Sequence, residues 1–493
     1  VTFTSVEFLF FFVPAFVVYW LLPRRAAWQN AWLLLLGAVF YASWHPHMLA
    51  LLAAAILFDY SIGVFIHRNP ADGTPARTAL RRRLLWLSIG GNLALLGYFK
   101  YLGFMAASLS ALLERVGLPG ALPSLEIALP MGISYFTLQK LSYVIDVYDS
   151  RLPACTSLPR FATAIAFFPH MVAGPVTRPA ALLPQLEVAR RLQPADVSTG
   201  ALLFLIGYLE KACIADNFAS TLVDPVFAQP GVLSASAHWL AALGYTVQVF
   251  CDFAGYSLMA LGVARGFGLS LPVNFDKPFL SVNLNEFWRR WHISLNTWIF
   301  EYIYTPLTTG EGFFRGRLDL GFMLVFLVSG LWHGASWGFV AWGAMHGLGL
   351  VVVRRWDEFY RGLCRKDRKW VARRRTRAYK GVAWALTMSF FVLSLIPFRA
   401  GTGADLLAFL GGLVPGGARD NLPLGLFTLA TTVGVGLTVV TVEHLLGLPR
   451  FAPLAGRFLA LPAPVRGLVY GAIVVYLFVF VPQTQGLFIY ARF

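Results

Sequence analysis

From Leu320 to Val353 the chain holds no Asp, Glu, Lys or Arg. A helix rises about 1.5 Å per residue and a bilayer's hydrocarbon core is about 30 Å thick, so about 20 apolar residues cross it once. This run is long enough to cross twice. Further uncharged runs occupy Phe8–Leu22, Ala26–Phe58, Leu84–Phe99, Tyr101–Leu113, Gly381–Phe398, Asn421–Val442 and Gly467–Tyr490. Only 13% of the 493 residues are charged, against about 25% in a soluble globular chain. With weaker segments near 127–145, 160–176, 197–215 and 236–264, the pattern predicts an all-α polytopic membrane protein with roughly 11 to 13 crossings.

The net charge of +16 is gathered in short loops between apolar runs, which fits membrane topology rather than nucleic acid. Residues 354–380 hold twelve Lys or Arg against three acids, and smaller clusters stand at Arg24-Arg25 and Arg68–Arg83. The positive-inside rule places all three in the cytoplasm and the N-terminus outside, with attraction to anionic lipid as the plain role of the largest cluster. The first apolar run has no basic segment before it and reads as a retained helix rather than a signal peptide. The four cysteines show no CxxC spacing, which argues against disulfides and a zinc site. One integral-membrane domain is expected over residues 1–493. Residues 130–350 would be its catalytic core, 354–380 a basic cytoplasmic loop and 381–493 C-terminal membrane helices.

His333 is the fourteenth residue of the Leu320–Val353 run, about 20 Å along a helix. A titratable ring at that depth is costly, so a functional role outweighs simple packing. Asn274–Leu307 is too polar to span lipid and suits an interfacial or re-entrant element, with Trp288, Trp291 and Trp298 as headgroup anchors. It carries a second histidine, His292. A neutral imidazole, with an ordinary pKa near 6.5, can take a proton from a hydroxyl and return it to a leaving group. For His292, packing and function weigh about equally. Asp252 is a lone carboxylate in an apolar segment and must be paired, neutral or functional, with Arg289 or Arg290 as candidate partners. His170 lies in a Pro- and Gly-rich turn. His45, His47, His238, His346 and His444 are weaker candidates, with His346 facing another helix or the far interface. Dinucleotide, P-loop and HExxH motifs are missing, so an activated thioester that brings its own leaving group fits best.

Three stretches carry a resemblance: Leu129-Pro-Met-Gly-Ile-Ser-Tyr-Phe-Thr-Leu-Gln139 with Phe168-Pro-His-Met-Val-Ala-Gly-Pro175, Phe287-Trp-Arg-Arg-Trp-His-Ile-Ser-Leu295, and Ser329-Gly-Leu-Trp-His-Gly-Ala335. The chain resembles the membrane-bound O-acyltransferase family, in its bacterial alginate O-acetyltransferase and teichoic acid D-alanyl transferase branch. That resemblance implies a ring of tilted helices around a funnel. It also implies the family's invariant histidine at His333 and its second at His292; Trp332, Asp252, Trp288, Arg289, Arg290 and Asn285 are the candidates for the substrate path. Asn285-Glu286 stands where many relatives have an Asp before Phe-Trp, and Phe253–Leu258 also departs, which puts the substrate in doubt.

The expectation is an O-acyltransferase in a bacterial inner membrane, with membrane lipid around it and no permanently bound cofactor or metal. It would move acetyl from acetyl-CoA, or another acyl thioester, to a periplasmic or extracellular acceptor protein or polysaccharide. D-alanyl transfer from a carrier protein is the alternative within the family, and a proton-coupled transporter the one outside it.

Overall fold

The computed structural model describes residues 2–44, 46–71, 73–118, 127–230 and 232–415, together with 433–434, 436–438, 440–441, 444, 456–458 and 460–480. Most of the expected span Asn421–Val442 and the end of Gly467–Tyr490 therefore lie outside the described residues, as does His45. Every regular element described is helical. Among the described residues, six helices are long and apolar enough to cross a membrane: Met48–Arg68, Pro75–Arg115, Pro194–Ala228, Ala235–Gly266, Trp337–Lys366 and Arg377–Arg399. Shorter apolar helices are Val6–Leu21, Ala26–Ala42, Leu318–His333 and Gly403–Gly412. The protein is an all-α, multi-pass membrane protein. Residues 160–176 do not form a span. They make two short helices, Leu158–Ile165 and Phe168–Met171, because Pro169 and Pro175 withhold the N–H groups a longer helix needs.

The chain packs as two compact units, one of Val1–Phe204 with Met259–Pro272 and one of Leu205–Leu258 with Val273–Phe493. In the first, a buried polar knot ties three helices. Lys140 Nζ of Ile133–Tyr148 donates to Asp59 Oδ2 (2.9 Å), Asn92 Oδ1 (2.8 Å) and the Ala55 carbonyl (3.3 Å). Ser88 Oγ donates to Asp59 Oδ1 at 2.5 Å and Asn92 Nδ2 to both carboxylate oxygens. Arg81 closes the ends of two helices by donating to the carbonyls of Ile66, Asn69 and Tyr148. Arg190 donates to Tyr19 Oη and Asn30 Oδ1, fixing its loop to the first two helices.

The second unit holds the polar segment 274–309. No long helix forms there. The chain makes short turns at Leu284–Trp288 and Ile293–Ile299, then widens into a π-helical segment at Phe300–Tyr304. Asn283 caps the first by accepting from the Glu286 N–H at 2.9 Å. Irregular backbone in a membrane protein must find its partners in protein, and here it does. The Ile293 N–H donates to the Asn274 carbonyl, the Asp276 N–H to the Arg290 carbonyl, and Asn274 bridges Ser294 Oγ (2.6 Å) and Ser257 Oγ (3.0 Å). Trp288, Trp291 and Trp298 are buried, against the expectation of headgroup anchors; Trp291, for instance, is packed among Phe275, Phe279, Phe287 and Phe391.

Candidate active site

The uncharged run Leu320–Val353 belongs to two helices. Leu318–His333 ends on the histidine, Gly334–Ser336 turns the chain, and Trp337–Lys366 returns beside it. Glycines set how closely the pair approaches. A Cβ on Gly330 would overlap the Phe339 carbonyl and one on Gly343 the Phe326 carbonyl, an antiparallel register that small residues make possible. His333 thus sits at a break between helices rather than in the middle of one. It is buried among the rings of Trp332 (centroids 5.0 Å apart), Trp342 (5.0 Å) and Phe398 (5.4 Å).

His292 reaches the same place from the polar segment. Its backbone is left-handed, φ 45° and ψ 50°, a region non-glycine residues occupy at a cost and which clusters at functional sites. The ring is 1% exposed and, among the described residues, neither nitrogen has a hydrogen-bond partner. His170, His238 and His346 are as deeply buried, yet each has a bonded ring nitrogen, to the Ala164 carbonyl, the Ser234 carbonyl and Ser394 Oγ. The segment bearing His292 lies outside the spanning helices, and burial within protein pushes its pKa down to about 3. The ring is therefore neutral and keeps a lone pair. It packs on Phe253 at 4.5 Å and Trp332 at 5.8 Å, and its centroid lies 6.4 Å from that of His333. Two imidazoles far apart in the sequence therefore share one aromatic enclosure.

The remaining candidates divide. Trp332 belongs to the enclosure. Trp288 joins it through Trp342 at 5.7 Å and His346 at 5.0 Å. Asp252 does not pair with Arg289 or Arg290. Lys211, on the π-helical segment Leu209–Ala215, takes it at 2.7 Å together with Asp216 at 2.6 Å. A compact ammonium already inside the unit is better placed than arginines on a surface turn: Arg289 is exposed, and Arg290 pairs with Glu286 at 2.8 Å. Asn285 is half-buried on the Leu284–Trp288 turn and is not one of the groups that enclose the two histidines. Sequence reasoning does not place Trp342, Phe398, Phe253 or His346 at the site. Trp342 and His346 lie in the same uncharged run as His333, a signal that can flag them; Phe398 and Phe253 give none. Among the described residues no three His, Cys, Asp or Glu side chains group as a metal site.

In the basic segment, Arg354 pairs with Asp319 at 2.6 Å and Glu358 at 2.9 Å, Lys369 with Asp367, and Arg374 with Asp357. Arg361, Arg365, Lys366, Arg368, Arg373, Arg375, Arg377 and Lys380 have no ion-pair partner among the described residues.

Residues 152–396 match the membrane-bound O-acyltransferase family. The chain is 38% identical over 401 residues to the probable alginate O-acetylase of Pseudomonas putida, covering 81% of this chain and 77% of that protein. It is 32% identical over 444 residues to the peptidoglycan O-acetyltransferase of Helicobacter pylori, covering 84% and 79%. Against the teichoic acid D-alanyltransferase of Streptococcus thermophilus it is 32% identical over 251 residues, covering 48% and 60%. With motifs, helical architecture and similarity in agreement, this chain belongs to the membrane-bound O-acyltransferase family and is an O-acyltransferase.

Proposed function

We propose that this protein moves acetyl groups from a cytosolic thioester, acetyl-CoA, toward the hydroxyls of a cell-surface polysaccharide, with His333 as general base. The observation that carries the reading is the convergence of His292 and His333 in one buried aromatic enclosure, 6.4 Å between ring centroids. In this mechanism His333 takes the proton of the attacking hydroxyl as its oxygen bonds to the thioester carbonyl carbon. The tetrahedral intermediate collapses, the C–S bond breaks, and the imidazolium returns the proton to the departing sulfur. His292, neutral and without a bonded partner, donates or accepts a hydrogen bond to hold the donor or acceptor in line. Burial of the pair excludes water, the competing nucleophile for the thioester.

The sugar-directed reading rests on the two O-acetyltransferase relatives, each matched over more than four fifths of this chain. The charge pattern supports placing the basic segment 354–380 in the cytoplasm, where the donor is found. The test is His333→Ala in proteoliposomes, following thiol release from acetyl-CoA with alginate oligosaccharide as acceptor. Loss of about 10²–10⁴-fold is expected for a general base, with unchanged membrane insertion. Near-parental turnover would remove His333 from the mechanism.

A second reading, D-alanyl transfer from a carrier protein, draws on the eight cations of 354–380 without ion-pair partners among the described residues, which would suit a small acidic carrier. Capture of such a carrier by the immobilised protein, with loss on neutralising Arg373 and Arg375, would favour it over acetyl-CoA.

A further inference from the structure

His333 is surrounded by aromatic faces and edges from three separate places in its unit. Trp332 comes from its own helix at an interplanar angle of 76°, Trp342 from the returning helix at 87°, and Phe398 from the end of Arg377–Arg399 at 65°. All three centroids lie 5.0 to 5.4 Å from the imidazole centroid. A cation over the face of an aromatic ring, within about 6 Å of its centroid, is attracted by the ring quadrupole, most strongly by tryptophan and most strongly where water is excluded. A neutral imidazole gains far less. An enclosure that turns ring faces to the imidazole favours one state of the ring over the other, and the favoured state is the one formed while a base is holding a proton.

We propose that Trp342, with Trp332 and Phe398, forms a π cage that stabilises the imidazolium of His333 in the transition state. The inference rests on the reading of His333 as the base. Because the attraction grows as the charge develops, it lowers the barrier without tightening substrate binding. Trp342 is a positioning residue in this scheme, since it acts through His333.

Its own placement is fixed from behind. His346 packs on Trp342 at 4.7 Å and its Nε2 lies 3.0 Å from Ser394 Oγ. Ser394 donates its one hydroxyl proton to the Phe391 carbonyl at 2.7 Å, so its oxygen accepts from His346 Nε2–H. That assigns the His346 tautomer and holds its ring. On the other side Phe398 meets Trp342 at 5.4 Å and is backed by Phe339 at 4.7 Å. Trp342 is thus held between a pinned imidazole and a pinned phenyl ring.

The experiment replaces Trp342 site-specifically with mono-, di- and trifluorinated tryptophan, which keeps shape while draining the ring face of negative charge. Thiol release from acetyl-CoA is followed in proteoliposomes. The cage predicts that log kcat falls stepwise with fluorination, reaching about tenfold at the trifluorinated ring, with KM for acetyl-CoA and thermal midpoint unchanged. Trp291, buried among other aromatics, takes the same series as control and should show no slope. A flat series at Trp342, or an equal slope at Trp291, overturns the cage while His333→Ala remaining inactive keeps the base. An active His333→Ala overturns both.

Discussion

In the first unit Lys140 and Asp59 are buried with their hydrogen-bonding capacity filled; in the second His292 is as deeply buried with neither ring nitrogen bonded. The three N–H groups of Lys140 meet three acceptors, and both oxygens of Asp59 accept from Ser88, Asn92 or Lys140. Burial is costly in both places. The knot offsets the cost internally, as structural polar groups do. An unbonded imidazole in a left-handed backbone leaves its cost standing, which is the mark of a group kept for something that binds.

The largest break in that comparison is Lys140→Met. It leaves the Asp59 carboxylate buried without its cation, which should cost about 3–5 kcal/mol and deplete the protein from the membrane. Lys140→Met with Asp59→Leu should recover most of the loss, because an apolar pair replaces an ion pair nearly neutrally. Thermal unfolding in detergent reads both. The opposite pattern is expected at the histidines, where His333→Ala stops turnover and leaves the thermal midpoint close to parental. If His333→Ala unfolds the protein and Lys140→Met does not, the two clusters have been assigned the wrong way round.

Gly343→Ala sharpens the contrast on the functional side. The added methyl meets the Phe326 carbonyl, so the helices bearing His333 and Trp342 must part. Such overpacking costs about 1–3 kcal/mol, and turnover should fall further than stability because the cage opens. Gly362→Ala, in the same helix with nothing within 4 Å, is the control and should be neutral or stabilising by up to about 1 kcal/mol. Equal loss in the two variants would mean that the close approach at Gly343 does not position the site.

Helices are legible in the sequence because uncharged runs answer to one number, the thickness of hydrocarbon. His333 is legible for the same reason. Pairing is not. Asp252 stands out as a lone carboxylate, but its partner Lys211 lies on a distant segment with no motif, and spacing alone suggests Arg289 or Arg290. The tryptophans of 288–298 read as interfacial because composition carries no information on what covers a turn; neighbouring phenylalanines bury Trp291. Trp342 is legible only as another apolar residue, since its role depends on the turn at Gly334–Ser336 that folds it back against His333.

The last break comes from His292 itself. Burial holds its pKa at about 3, against an unfolded value near 6.5. Between those values the unfolded chain binds a proton that the folded one refuses, so stability rises with pH there. The contribution is full above about pH 6.5 and is lost as pH falls toward about 3. Thermal midpoints taken from about pH 8 down to about pH 4 should therefore stay level and then decline. In His292→Gln the same curve should decline less steeply, since glutamine has no proton to gain. Superimposable curves would show that this ring is not kept neutral by its surroundings, and the contrast with Lys140 would then rest on bonding geometry alone.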